Sequence, residues 1–242
     1  MRRNRVDLLC ISAHPDDAEW GCGGTLRLHV LKGHRVGMVD LSKGERGTRG
    51  SPEVREEEAQ QAMRVLGALF RENMGFSDAF LGSLSEQEKL SLVDVIRKYE
   101  PRVVITNPPE DRHPDHGDSF HEVQRACFLA GLSKIQTNYP PYRPQALYSY
   151  MQTTYLKPDL LVDISPVWED KMKLLRCFKS QFHNPKSQEP HTFISSPEFF
   201  PFVEARAREM GRWAEVKYAE GFLSYKPIIV PNLLSISVKD DS

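Results

Sequence analysis

Apolar residues along this chain fall in short runs separated by polar, Gly- and Pro-containing stretches, and the runs alternate between two periods. Val6 to Ser12 is a brief apolar run bounded by loop residues, which predicts a buried strand. Gly23 to Lys32 predicts a helix, with Gly33 as its stop signal, and Arg35 to Leu41 a second strand. A loop rich in Gly and charge follows, from Ser42 to Ser51. Ser51 and Pro52 stand in the order of an N-cap and a first helical residue, so a helix runs from there to about Leu69. Phe70 to Phe76 predicts a weaker strand. Ser85 to Tyr99 predicts a helix opened by a capping box of Ser85 and Glu88, and the β-branched stretch Arg102 to Thr106 a fourth strand. Four strand–helix alternations predict an α/β fold: a Rossmann-like, mainly parallel sheet with helices on both faces. The second half is less regular. It predicts helices over Asp118 to Leu132, Val167 to Lys179 and Pro197 to Trp213, and strands over Ala146 to Gln152 and Leu160 to Ile164. With no repeat and no convincing linker, residues 1–242 are expected to form one domain, with 227–242 as a C-terminal extension.

Composition narrows the function classes. Thirty-two basic residues against 33 acidic ones give a formal charge of -1, which argues against a general nucleic-acid binder. The N-terminal apolar run is short and contains Asp7. No stretch approaches the ~20 apolar residues of a membrane span, so a cytoplasmic protein without a membrane partner is expected. The four cysteines, Cys10, Cys22, Cys127 and Cys177, are widely spaced and read as small apolar side chains of a reduced protein.

The chemistry concentrates in two clusters. Ala13-His14-Pro15-Asp16-Asp17-Ala18-Glu19 follows the first strand, and Asp111-Arg112-His113-Pro114-Asp115-His116 follows the fourth. One His-Pro-Asp reads as a turn leading into a helix. Two of them, each after a strand's carboxyl end, meet at one crevice if strands one and four flank the point where strand order reverses. Imidazole and carboxylate together suit a divalent transition metal, zinc first and iron(II) second. His14, Asp17 and His116 supply three ligands and leave a position for water. Asp16 is then free to act as general base, His113 to stabilise an oxyanion or protonate a leaving group, and Asp115 to hold the His113 tautomer. Of the other histidines, His183 and His191 lie in a Pro-containing loop with access to a site.

The two clusters, with Gly21-Cys22-Gly23-Gly24, resemble the zinc-dependent PIG-L/LmbE-type N-acetylglucosaminyl deacetylases. Leu41 to Gly50 looks like that family's substrate loop. Lys179-Ser180-Gln181, Phe193 to Glu198 and Lys217 to Phe222 look like its bacillithiol-pathway branch, which acts on N-acetylglucosaminyl L-malate. The resemblance covers roughly residues 5–225 and implies the roles just given for His14, Asp17, His116, Asp16, His113 and Asp115. It also implies substrate contacts for Arg55 and for Arg143, the latter reaching a site from a neighbouring subunit's side, and a homo-oligomer, a hexamer in that branch. An anionic conjugate needs cations at the crevice rim, and Arg46, Arg49 and Arg55 are placed to supply them.

Two other readings stay open at this stage. A dinucleotide-dependent oxidoreductase would use the same sheet, but the acidic His14-Pro15-Asp16-Asp17 turn repels pyrophosphate and G-x-G-x-x-G is incomplete. A non-catalytic sugar- or zinc-binding module would not need a free base beside the metal.

Overall fold

A computed structural model of the chain describes residues 4–232. The basic Arg2 and Arg3, and most of the expected C-terminal extension, lie outside the described residues. The elements run β1 (Leu8–Ser12), α1 (Asp17–Leu31), β2 (Val36–Ser42), α2 (Pro52–Leu66), β3 (Phe70–Phe76), α3 (Glu86–Tyr99), β4 (Val103–Thr106), α4 (Pro114–Ala130), β5 (Ala146–Tyr150), β6 (Leu160–Asp163), α5 (Trp168–Leu175), α6 (Phe199–Trp213) and β7 (Ala219–Ser224). One seven-stranded sheet has the order β3-β2-β1-β4-β5-β7-β6. Strands β3 to β5 pair in parallel, whereas β7 is antiparallel to both its neighbours.

Alternation along the strands builds two layers. Leu9 and Ile11 of β1 and Val39 and Leu41 of β2 join Leu92, Ile96 and Val123 from α3 and α4. Leu8, Cys10, Val36 and Met38 point to the other face, where they meet Leu26 and Leu66 from α1 and α2. Strands β1 and β4 are neighbours and parallel, so the predicted crossover point exists and both His-Pro-Asp turns leave the sheet at the same edge.

Two helices begin earlier than the sequence pattern predicts. Helix α4 opens at Pro114 behind the N-cap His113, four residues before the expected start at Asp118. Helix α1 opens at Asp17 rather than Gly23, and it is kinked at Cys22 (φ -144°, ψ 18°). The kink frees backbone donors in mid-helix, and Glu220 from β7 meets them: its carboxylate accepts from Gly24 N at 3.0 Å and Thr25 N at 2.7 Å. Lys171 neutralises that buried carboxylate and also donates to Trp20 O. Gly21 allows the first half of the helix to lie on the sheet, because a Cβ there would sit 2.1 Å from the Tyr150 ring. Strand β7 was not expected from the pattern, and the helix expected over Val167 to Lys179 is shorter. The capping box of Ser85 and Glu88 and the Ser51–Pro52 start are as predicted.

Candidate active site

The first cluster turns sharply out of β1. Asp16 is the N-cap of α1 at φ 107°, a left-handed conformation that costs a non-glycine residue of order 1–3 kcal/mol and needs support. Arg55 of α2 gives that support. Its Nη2 donates to Pro15 O at 2.8 Å and lies 3.3 Å from Asp16 Oδ2, and its Nη1 donates to Gly44 O at 3.1 Å. Gly44 sits at φ +65° with Arg55 Nη1 where its Cβ would be. Asp16 Oδ1 has no hydrogen-bond partner among the described residues. In the second cluster His113 caps α4, its Nδ1 accepting from Asp115 N at 3.3 Å. That bond leaves the ring proton on Nε2.

The structure brings His14, Asp17 and His116 together. His14 Nδ1 is 3.4 Å from Asp17 Oδ2, and His116 Nε2 is 3.2 Å from Asp17 Oδ1. The opposite nitrogen of each ring is held by carboxylates. His14 Nε2 meets Asp78 at 3.1 Å and Asp115 at 3.2 Å, and His116 Nδ1 meets Asp111 at 2.6 Å. Carboxylates behind imidazoles fix the tautomer and aim the free nitrogen, the arrangement that metal-ligating histidines use. Ring nitrogens of His14, His113 and His116 also lie within 4.8 Å of one another.

The charges point the same way. Five carboxylates, Asp16, Asp17, Asp78, Asp111 and Asp115, surround the imidazoles of His14 and His116 and the Arg55 guanidinium. Burial pulls the His14 pKa down, but Asp115, Asp17 and Asp78 overrule it and hold the ring well above its usual value. Burial likewise opposes a charged His116, yet Asp17 and Asp111 push it up to about 9. Burial favours a neutral Asp17, yet His116 and His14 hold it well below the carboxylate range. A buried cluster that gathers positive charge on its own imidazoles is short of cations, and a divalent metal fits that deficit and this donor set. Asp16 is different. Burial pushes it up to about 7 despite Arg55.

Other predicted residues are placed differently. Asp115 does not hold His113 by its side chain; its carboxylate serves His14, Ala79 N at 2.8 Å and Leu81 N at 3.4 Å. Burial and the neighbouring His14 and His116 lower the His113 pKa, and with Nδ1 committed to Asp115 N its Nε2 is the nitrogen left to donate. Arg49 lines the cleft but is buried, its guanidinium spent on Ser180 O (2.6 Å), Pro190 O (2.8 Å), Glu189 O (3.2 Å) and Ser187 Oγ (2.8 Å). Arg143 does not line this chain's own cleft, nor would a residue that reaches a neighbouring subunit's site. It packs over Phe128 at 4.9 Å, in a groove with Tyr148 and Ile228. Neither His183 nor His191 lines the cleft. The cleft over the metal-like cluster has a volume of about 430 Å³ and a mouth formed by Arg46, Arg112, Phe193 and Ile194.

Sequence reasoning missed Asp78, Asn107 and Gln152. Each lies just beyond a strand's carboxyl end, and that position was the only signal available.

The match to known proteins follows the same residues. The GlcNAc-PI de-N-acetylase (PIG-L) family matches residues 9–128, which contain both clusters. A diacetylchitobiose deacetylase of Thermococcus kodakarensis is 31% identical over 88% of this chain and 81% of its own length. The chain belongs to the PIG-L deacetylase family. A 4-oxalmesaconate hydratase of Pseudomonas putida is 27% identical over 96% of this chain and 94% of its own length. A Bacillus cereus protein named "Probable N-acetyl-alpha-D-glucosaminyl L-malate deacetylase 2" is 27% identical over 72% and 83%. Among solved structures, a conserved protein of Thermus thermophilus superposes with a TM-score of 0.84 at 37% identity, covering 93% of this chain and 98% of that one.

Proposed function

We propose that this chain is a metal-dependent N-deacetylase that releases acetate from an N-acetylglucosamine conjugate with an anionic aglycone, N-acetylglucosaminyl L-malate of bacillithiol synthesis being the first candidate. The observation that carries the reading is the pairing of a carboxylate-backed His14–Asp17–His116 donor set with an adjacent carboxylate, Asp16, that has one oxygen free. Zinc, or iron(II), held by those three residues would supply a water of lowered pKa and a Lewis acid for the acetyl carbonyl. Asp16 takes a proton at Oδ1, while Arg55 fixes the carboxylate from the Oδ2 side. Burial makes Asp16 a stronger base than an ordinary carboxylate and so better matched to proton transfer near neutrality. His113 donates from Nε2 to the developing oxyanion, and Asp115 N holds its ring in that tautomer. The proton on Asp16 then serves the departing amine.

The anionic aglycone is supported by the cleft mouth. Arg46 and Arg112 line it, and neither has a carboxylate in ion-pair distance among the described residues. Each guanidinium rests on an aromatic ring: Arg46 over Phe80 at 5.3 Å and Arg112 over Phe193 at 5.4 Å. Arg46 commits Nε to Asp78 O at 3.0 Å and Nη2 to Ser77 Oγ at 3.4 Å, which leaves its Nη1 and the Arg112 guanidinium, rather than Arg49, to meet a carboxylate. A homo-oligomer and a cytoplasmic location remain part of the proposal by family resemblance and sequence pattern; among the described residues no helix is long and apolar enough to cross a membrane.

The test is acetate release from N-acetylglucosaminyl malate, diacetylchitobiose and N-acetylglucosaminyl inositol, with and without a chelator. Chelator-sensitive acetate release, greatest on the malate conjugate, is expected. Release on none of them refutes the deacetylase reading. The hydratase relative makes water addition to an unsaturated tricarboxylate the control reaction.

A further inference from the structure

Asp17 is held by more than the two histidines. Ala13 N, a backbone donor fixed at the end of β1, donates to Asn107 Oδ1 at 2.8 Å. That bond settles which way the Asn107 amide faces. Asn107 Nδ2 then donates to Asp17 Oδ2 at 3.1 Å and to Gln152 Oε1 at 2.9 Å. With its oxygen committed, Gln152 can only present Nε2, which donates to Asp17 Oδ1 at 2.7 Å. Reversing either amide would set N–H against N–H or oxygen against carboxylate. His14 N completes the set at Asp17 Oδ2, 3.0 Å away. Asn107 and Gln152 have no solvent exposure.

We infer that Asn107 and Gln152 form a one-way amide relay that aims the Asp17 carboxylate before a cation arrives, with Gln152 as the positioning residue for metal capture. The inference rests on Asp17 being a ligand, as proposed above. Asp17 Oδ1 receives one neutral donor and Oδ2 two, counting His14 N, so the carboxylate cannot turn. The lone pair left on Oδ1 faces His116 Nε2, 3.2 Å away, and Oδ2 lies 3.4 Å from His14 Nδ1. The relay joins residues just beyond three neighbouring strands, β1, β4 and β5, across the point where strand order reverses. The segment that carries Gln152 does a second service. Thr154 N donates to Asp111 Oδ1 at 2.7 Å, and Asp111 orients His116; Arg206 of α6 ties the same segment down through Thr153 O at 2.8 Å. One short stretch after β5 therefore steers two of the three proposed ligands, and Gln152 is the member that touches a ligand directly.

The experiment measures zinc affinity by competition with a chromophoric chelator, together with the melting temperature of the metal-free and zinc-loaded chain. Gln152→Met keeps the side-chain length and removes the amide; Gln152→Asn keeps an amide but withdraws it from Asp17. Both are expected to weaken zinc binding by about 10- to 100-fold, with deacetylation recovered at saturating zinc. Asp17→Asn is the control and is expected to lose zinc more completely. A relay that only braces the sheet would lower the metal-free melting temperature without changing zinc affinity. That result in either folded variant, with Asp17→Asn still losing zinc, overturns the inference. Undiminished zinc binding by Asp17→Asn instead refutes the ligand assignment, and with it the relay.

Discussion

Replacing Arg49 by alanine separates a structural cation from a substrate contact. Its guanidinium reaches four acceptors on the segment from Ser180 to Pro190, and it is 3% exposed. A hydrogen bond to a charged group contributes roughly 1.5–3 kcal/mol net. The four do not add at that rate. Glu189 and Pro190 are exposed and Ser187 half-buried, so those groups find water once released, while the Ser180 carbonyl stays inside. Two main-chain ties survive the substitution, Gly50 N to Glu189 Oε1 and Gln181 Nε2 to Arg49 O, both at 2.7 Å. The expected loss is therefore about 2–4 kcal/mol, read as a lower urea midpoint. Hydrogen exchange and proteolytic cleavage should rise over residues 183–195. Because Thr192, Phe193 and Ile194 of that stretch line the cleft, kcat/KM should fall as well, while zinc affinity should not change. A variant with unaltered stability and exchange but a raised KM would refute the reasoning and restore Arg49 to the substrate role its loop suggests.

Other outcomes follow from the same geometry. Asp16→Asn and His113→Ala should each keep the metal and lose turnover, His113→Ala by about 10²–10³-fold, checked by zinc content and acetate release; parental rates would dismiss the assigned roles. Glu220→Gln leaves Lys171 buried without its counter-charge and loosens the cap on the α1 kink, so a loss of about 3–5 kcal/mol is expected by chemical denaturation. Gly21→Ala drives a methyl into the Tyr150 ring, and a lowered melting temperature or failure to fold is expected.

The strand–helix alternation was legible because each strand is a short apolar run and each helix has a stop or cap that physics favours locally. The starts of α1 and α4 were not. His, Pro and Asp make turns and helix first turns with the same residues, and Gly21 to Gly24 hid the first half of α1. What meets the backbone donors at the kink is Glu220, 196 residues from Gly24, which no local pattern contains. Strand β7 was missed because a charged residue, Glu220, follows directly on its first residue and is buried rather than exposed. The three proposed metal ligands were legible from residue type and repetition of the His-Pro-Asp turn. Their supports were less so: Asp78 and Gln152 sit beside other polar loop residues, and their meaning comes only from the strand ends that gather them. Arg49 reads as a mobile loop cation until its partners, 131 and more residues later, are folded beside it.

On the proposed mechanism the turns after β1 and β4 share one cation. Crystals grown with zinc and measured on either side of its absorption edge test this directly. One anomalous peak is expected about 2.0–2.3 Å from His14 Nδ1, the Asp17 carboxylate and His116 Nε2 together. Zinc density elsewhere, or none with those three side chains turned apart, would contradict it.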